Sequence, residues 1–242
     1  MSAGRLQGRH ALVTGGSGGL GRACVAALVE EGARVIATDI DDAAFAQLAG
    51  EQDLAGVDWR VLDVADDGKV RAFADQVDRL DILVNCAGVL ARGEESFGEE
   101  QFDRVVDINL HGTMRCCRAF LPHLQARPGT IVNIASMMSF LGTGTAPGYA
   151  ASKGGVAQLT KSLAIAWGAH GIRVNAIAPG WIKTPMSGAL PPDYVERVKQ
   201  RTPLGDWGKP EHIGRVVPLL CDDAAAWING VILPVDGGYL AV

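Results

Sequence analysis

The chain has 242 residues, 48% of them hydrophobic and 20% charged, and a formal net charge of −5. So large an apolar fraction offsets the entropy of ordering and excludes disorder as the main state. The acidic balance excludes nonspecific nucleic-acid binding through clustered Lys and Arg, and no run reaches the roughly 18 apolar residues of a membrane span. Short runs, most of them rich in Val and Ile and bounded by Gly, Asp or Asn, follow one another at residues 10–13, 34–38, 59–62, 82–84, 130–134, 173–177 and 231–235. Runs apolar on both faces fit parallel strands covered on both sides. Between them lie helical patterns at residues 20–31, 42–49, 67–77, 100–124, 149–169 and 211–221. Seven strands alternating with six helices predict an α/β fold over residues 1–242, a single-domain doubly wound parallel seven-stranded sheet with helices on both faces.

Residues 180–208 break the alternation. They hold Pro185, Pro191, Pro192 and Pro203, with one short helix expected near 193–201. A long irregular insertion in a compact domain predicts a lid over a substrate. The five cysteines, Cys24, Cys86, Cys116, Cys117 and Cys221, are odd in number and lack metal-ligand spacing. With no leader-like N-terminus, they predict reduced thiols and a cytoplasmic location.

The first strand runs into Thr14-Gly15-Gly16-Ser17-Gly18-Gly19-Leu20-Gly21, and a helix follows. Glycines let backbone N–H groups approach a pyrophosphate, and the helix N-terminus adds unpaired donors and a favourable dipole. Several glycine patterns fit the stretch, so the loop alone does not choose a subfamily. Gly16, Gly18 and Gly21 fit G-x-G-x-x-G. Gly15, Gly19 and Gly21 fit G-x-x-x-G-x-G, and Gly15, Gly18 and Gly21 fit G-x-x-G-x-x-G. Asp39 follows Gly21 by eighteen residues, at the end of the second strand. An acid there accepts from a ribose 2′-OH and repels a 2′-phosphate. Gly18 and Ile40 stand where a basic residue would neutralise that phosphate, so the expected cofactor is NAD, favoured over NADP by at least ~2 kcal/mol.

Tyr149 and Lys153 are four residues apart on a helical pattern and share one face. An ammonium beside a phenol favours the phenolate, and a tyrosine acting near neutral pH needs its pKa lowered by about 3 pH units, or about 4 kcal/mol. Ser136 closes the strand-like run before it, at the carboxyl end of a strand, where ligands sit in such sheets.

Together these residues resemble the short-chain dehydrogenase/reductase family over essentially the whole chain. Asn85-Cys86-Ala87-Gly88 is similar to that family's N-N-A-G motif, departing at Cys86. Asn109 stands at the place of its helix asparagine, and Ser136 precedes Tyr149 by thirteen residues, as the family's serine does. Pro179-Gly180 with Thr184 resembles its nicotinamide segment, and Val235-Asp236-Gly237-Gly238 its C-terminal signature.

The resemblance implies catalytic roles for Asn109, Ser136, Tyr149 and Lys153. Tyr149 would be the general acid/base, Ser136 would polarise the substrate oxygen, Lys153 would bind ribose and depress the tyrosine pKa, and Asn109 would hold a relay water. It implies cofactor contacts from Gly15, Ser17, Gly18, Gly19, Leu20, Gly21, Asp39, Ile40, Asp63, Val64, Asn85, Ala87, Gly88, Tyr149, Lys153, Pro179, Gly180, Ile182 and Thr184. The expected reaction interconverts a secondary alcohol and a ketone with NAD. The alternatives are an NADP-dependent carbonyl or 3-oxoacyl reductase, a cofactor-binding sensor, or an epimerase-like enzyme. The expected partners are a small-molecule alcohol or ketone and three further copies of the chain in a homotetramer, with no nucleic acid, membrane or metal. Met137, Met138, Trp181 and Met186 either line the substrate pocket or fill the core. A pocket lined by them would be apolar and uncharged. Lys183 reads as a solvated lysine, and His111 and His123 as surface or interface histidines.

Overall fold

The computed structural model describes residues 4–188 and 190–242. Seven parallel strands form one sheet in the order β3-β2-β1-β4-β5-β6-β7. They are β1 (His10–Thr14), β2 (Arg34–Asp39), β3 (Asp58–Val61), β4 (Ile82–Asn85), β5 (Thr130–Ile134), β6 (Arg173–Pro179) and β7 (Ile232–Val235). Strand order reverses between β1 and β4, and their carboxyl ends open a crevice there. Thr14 pairs with Asn85 at that point.

Helices cover both faces, because the strands alternate apolar side chains to either side. Leu12 and Val13, both fully buried, point into different cores. Val13 joins Cys24, Val25 and Leu28 of α1 (Gly19–Glu30). Ile213 of α9 (Pro210–Gly214) and Val217 of α10 (Val216–Cys221) complete that side. Leu12 joins Val70 and Phe73 of α3 (Asp67–Ala74) and Leu163 of α7 (Pro147–Trp167). Burying each such side chain stabilises the fold by about 1.5–3 kcal/mol. Between β2 and β3 the helix expected over residues 42–49 shrinks to α2 (Phe45–Leu48).

The helix expected over residues 100–124 is three helices. α4 (Glu99–Val106) passes into a wide π turn (Asp107–His111), and α5 (Gly112–Ala119) continues it. A break at Phe120 then starts α6 (Leu121–Ala126), with Pro122 in its first turn, where a missing N–H is harmless. The π turn holds Asn109, whose carbonyl accepts from Thr113 Oγ1 at 2.7 Å.

The irregular segment after β6 is more ordered than its prolines suggest. Ile182 bridges Gly208, and Gly208 N donates to Trp181 O at 2.8 Å. A short turn (Pro185–Ser187) precedes α8 (Pro192–Arg201). Trp181 packs on Trp207 and Tyr194, with ring centroids 5.0 and 5.5 Å away. Among the described residues no helix is long and apolar enough to cross a membrane.

Candidate active site

The glycine loop is shaped by contacts that leave no room for side chains. A Cβ at Gly21 would lie 1.9 Å from Gly15 O, and one at Gly15 would lie 2.7 Å from Ala87 Cα. Gly15 also has φ +65°, a conformation that favours glycine. Thr14 Oγ1 accepts from both Cys86 N and Ala87 N at 3.2 Å and so locks this loop to the one after β4. Sequence reasoning missed that role; the signal was a polar residue at the last place of an apolar strand. At Gly18 no side chain caps α1, and its first turn carries no acid, so the leading N–H groups face the crevice. Such an end fits a pyrophosphate. Across the loop, a Cβ at Gly19 would lie 3.1 Å from Thr184 Cβ, so the segment after β6 rests directly on the glycines.

Asp39 is committed within its own loop. Its Oδ2 accepts from Ser17 N at 3.1 Å and Ser17 Oγ at 2.5 Å, and its Oδ1 accepts from Ile40 N at 2.8 Å. Ile40 and Asp63 share a cleft with Arg60 and Lys69. Asp63 caps its own turn by accepting from Ala65 N at 2.9 Å. Val64 is buried, and a Cβ on Gly112 would lie 2.8 Å from its Cγ2. The Asn85 side chain points into the core, where Nδ2 donates to Asn133 Oδ1 at 2.9 Å.

A cavity of about 360 Å³ gathers most of the remaining predicted residues. Ser136 and Tyr149 form one wall, and Leu20, Pro179, Gly180, Ile182 and Thr184 another. Met137, Met138, Trp181 and Met186 all line it, and Met137 is at the same time a buried core side chain. Lys183 lies outside, paired to Asp206 at 3.0 Å. Arg92, an exposed residue, also lines the cavity, so the pocket carries a charge that the sequence reading did not expect. Its signal was a cation four residues beyond the Asn85–Gly88 motif.

Lys153 sits behind Tyr149 with only 5% of its surface exposed. Its Nζ donates to Ile134 O at 2.7 Å and lies 5.8 Å from the centre of the Tyr149 ring. Burial lowers the ammonium pKa to about 8. Asn109 is fully buried and braces the loop after β4. Its Oδ1 accepts from Val89 N at 2.8 Å, and its Nδ2 donates to Val89 O at 3.0 Å and Ser152 Oγ at 3.1 Å. Gly88 fits against Asn109 and Lys153 because it has no side chain; a Cβ there would lie 3.2 Å from Asn109 Oδ1.

Within the protein's own groups, burial of the Tyr149 hydroxyl raises its pKa, and the opposing pulls of the Ser136 hydroxyl and the Arg92 charge are smaller. The expected lowering drew on the lysine and on the nicotinium ring of an oxidised cofactor, and it omitted desolvation.

The profile described as enoyl-(acyl carrier protein) reductase matches residues 15–240. The chain belongs to the short-chain dehydrogenase/reductase family. Within that family it is 37% identical to the 3-oxoacyl-[acyl-carrier-protein] reductase FabG of Thermotoga maritima, over 98% of this chain and 99% of the relative. A gluconate 5-dehydrogenase of Burkholderia cenocepacia, solved with NADP and tartrate, is 35% identical, with a TM-score of 0.92 and coverage of 98% and 97%. A putative 2-deoxy-D-gluconate 3-dehydrogenase of Agrobacterium tumefaciens, solved with NADP, is 40% identical, with a TM-score of 0.89 and coverage of 98% of each chain.

These two members of the family overturn the expectation of NAD, since both hold NADP. The structure supplies the physical reason. The argument for NAD needed Asp39 free to accept from a ribose, and its carboxylate is instead a brace for Ser17 and Ile40.

Proposed function

We propose that this protein is an NADP-dependent oxidoreductase that interconverts a ketone and a secondary alcohol, with Tyr149 as the proton donor in the reducing direction. The observation that carries this reading is the Tyr149 hydroxyl beside Ser136, in a cavity bounded by Leu20 of the glycine-loop helix and by residues 179–184. A phenol whose pKa is raised stays protonated at neutral pH, which suits donation to a carbonyl oxygen. Ser136 holds that oxygen by its hydroxyl. The oxygen side of Ser136 is fixed by Met138 N, which donates to its Oγ at 3.1 Å. Lys153, anchored on Ile134 O, keeps positive charge behind the phenol and favours the charge that develops on it as its proton leaves. The nicotinamide, when bound, supplies the hydride.

The cradle fits a dinucleotide phosphate. The uncapped start of α1 and the side-chain-free loop suit the pyrophosphate. Arg22 stands beside Ser17 in the neighbouring cleft, ion-paired to Glu51, and we assign it the 2′-phosphate. The bound NADP of the similar structures supports this choice. Residues 180–208 would act as the lid, resting on Gly19 through Thr184.

Tyr149→Phe tests the reading. It keeps the ring and removes the proton, so NADPH-dependent reduction is expected to fall by about 10² to 10⁴ with NADPH affinity retained. Activity within a few-fold of the parent would remove Tyr149 from the mechanism.

A further inference from the structure

Among the described residues that line the catalytic cavity, Arg92 is the single one of the Lys, Arg, Asp and Glu types. Among the described residues no carboxylate pairs with it. Its Nη1 donates to Ser187 O at 3.1 Å, which ties it from the loop after β4 to the short turn of the lid segment. One donor of five is thereby used, and the rest of the planar fork has no described acceptor. Leu90, Met138, Trp181 and Met186, which line the same cavity, offer no counter-charge. Arg60, Arg115 and Arg118 each hold an aspartate, while Arg34, Arg104, Arg127, Arg201 and Arg215 share with Arg92 the lack of a described carboxylate partner; Arg92 differs from these in lining the catalytic cavity. A guanidinium left without an anion, over a largely apolar cavity, is a site for one.

We infer that Arg92 seats a carboxylate of the substrate, so that the protein takes a small oxo-acid or hydroxy-acid with its reacting carbon near Ser136 and Tyr149. This inference rests on the oxidoreductase reading for its reacting carbon, but not for the anion seat itself. A phosphate ester would meet the same fork. The cavity, at about 360 Å³, also has to admit the nicotinamide ring, which leaves room for a small acid. Arg92 also acts on the chemistry, since its charge is felt at Tyr149 and pulls that phenol toward ionisation. A bound carboxylate cancels this pull, and the phenol is then held in its proton-donating form while substrate is present.

The test measures binding and turnover separately on the full chain loaded with NADPH. The probes are two matched pairs: 4-oxocyclohexanecarboxylate with its carboxamide, and 5-oxohexanoate with its amide. Calorimetric titration gives the affinities. Charge-assisted hydrogen bonds of this kind correspond to about ten- to a hundredfold in affinity, so at least one acid is expected to bind at least tenfold tighter than its amide. Arg92→Gln is expected to bring that acid and its amide within twofold of each other, and Arg92→Lys to keep part of the preference. Acids and amides binding alike, neither probe of either pair binding, or an acid preference that survives Arg92→Gln would each overturn the assignment. The turnover arm separates the two readings. Reduction of amides as efficiently as acids would leave the oxidoreductase standing and remove the anchor. Arg92-dependent binding of an acid without NADPH oxidation on any probe would leave the anchor and count against the oxidoreductase.

Discussion

Lys153→Met isolates the energetic consequence of burying a charge in the catalytic wall. Methionine matches the length of the lysine stem and removes the ammonium. Lys153 is 5% exposed, and its pKa falls from 10.5 to about 8 through desolvation. In the unfolded chain the group regains its ordinary value, so between pH 8 and 10.5 the unfolded state holds more protons than the folded one. Stability therefore rises with pH across that window, and below it the full penalty is present. The gap corresponds to about 3 kcal/mol. At pH 7 the variant escapes this penalty but leaves Ile134 O without its donor, a loss of about 1–3 kcal/mol, so its stability should lie between the parent's and about 2 kcal/mol above it. From pH 7 to pH 10 the parent should gain about 2.5 kcal/mol relative to the variant. Urea unfolding followed by tryptophan fluorescence at both pH values reads this directly. A difference between parent and variant that does not move with pH would show that Lys153 is not desolvated.

Further outcomes follow from the same contacts. Gly21→Ala forces a Cβ to 1.9 Å from Gly15 O, so it should destabilise by at least about 2 kcal/mol and abolish cofactor binding. Gly18→Ala has only Gly15 O at 3.4 Å to meet and φ −70°, so its thermal midpoint should stay near the parent's. Asn109→Ala strips Val89 N and O of their partners and should cost about 2–4 kcal/mol by urea unfolding, with a larger loss of activity than of stability as the loop after β4 loosens. Light scattering should give about 100 kDa for four chains of 25.4 kDa, since Ile165 and Trp227 are 83% and 99% exposed in the single chain; a monomer would refute it.

The sheet was legible because its inner strands carry apolar runs on both faces; the edge strands β3 and β7 also lie where runs stand, but none of their residues is fully buried. The helices were less so. Periodicity gave one helix over residues 100–124 because a π turn keeps its residues helical while shifting the phase by one, and the apolar pattern is too coarse to register it. Gly155 illustrates a second limit. It reads as a small residue suited to contact between chains, yet a Cβ on it would lie 2.7 Å from Leu110 of the same chain. In the candidate site, the surroundings of the side chains were not legible. Asp39 was read by its charge, while its three hydrogen bonds within the loop depend on how Ser17 folds back. The direction of the Tyr149 shift depended on burial, which spacing along a helix does not encode. Arg92 escaped because its cavity is closed by residues far away in sequence, among them Ser187, to whose carbonyl it donates.

The most direct measurement is the initial rate of ketone reduction, followed by loss of reduced cofactor absorbance, with NADPH and NADH compared at equal concentration in the parent and in Arg22→Ala. The account predicts a kcat/KM for NADPH at least about tenfold above that for NADH, and a fall in that ratio when Arg22 is removed. NADH used as well as or better than NADPH would contradict it.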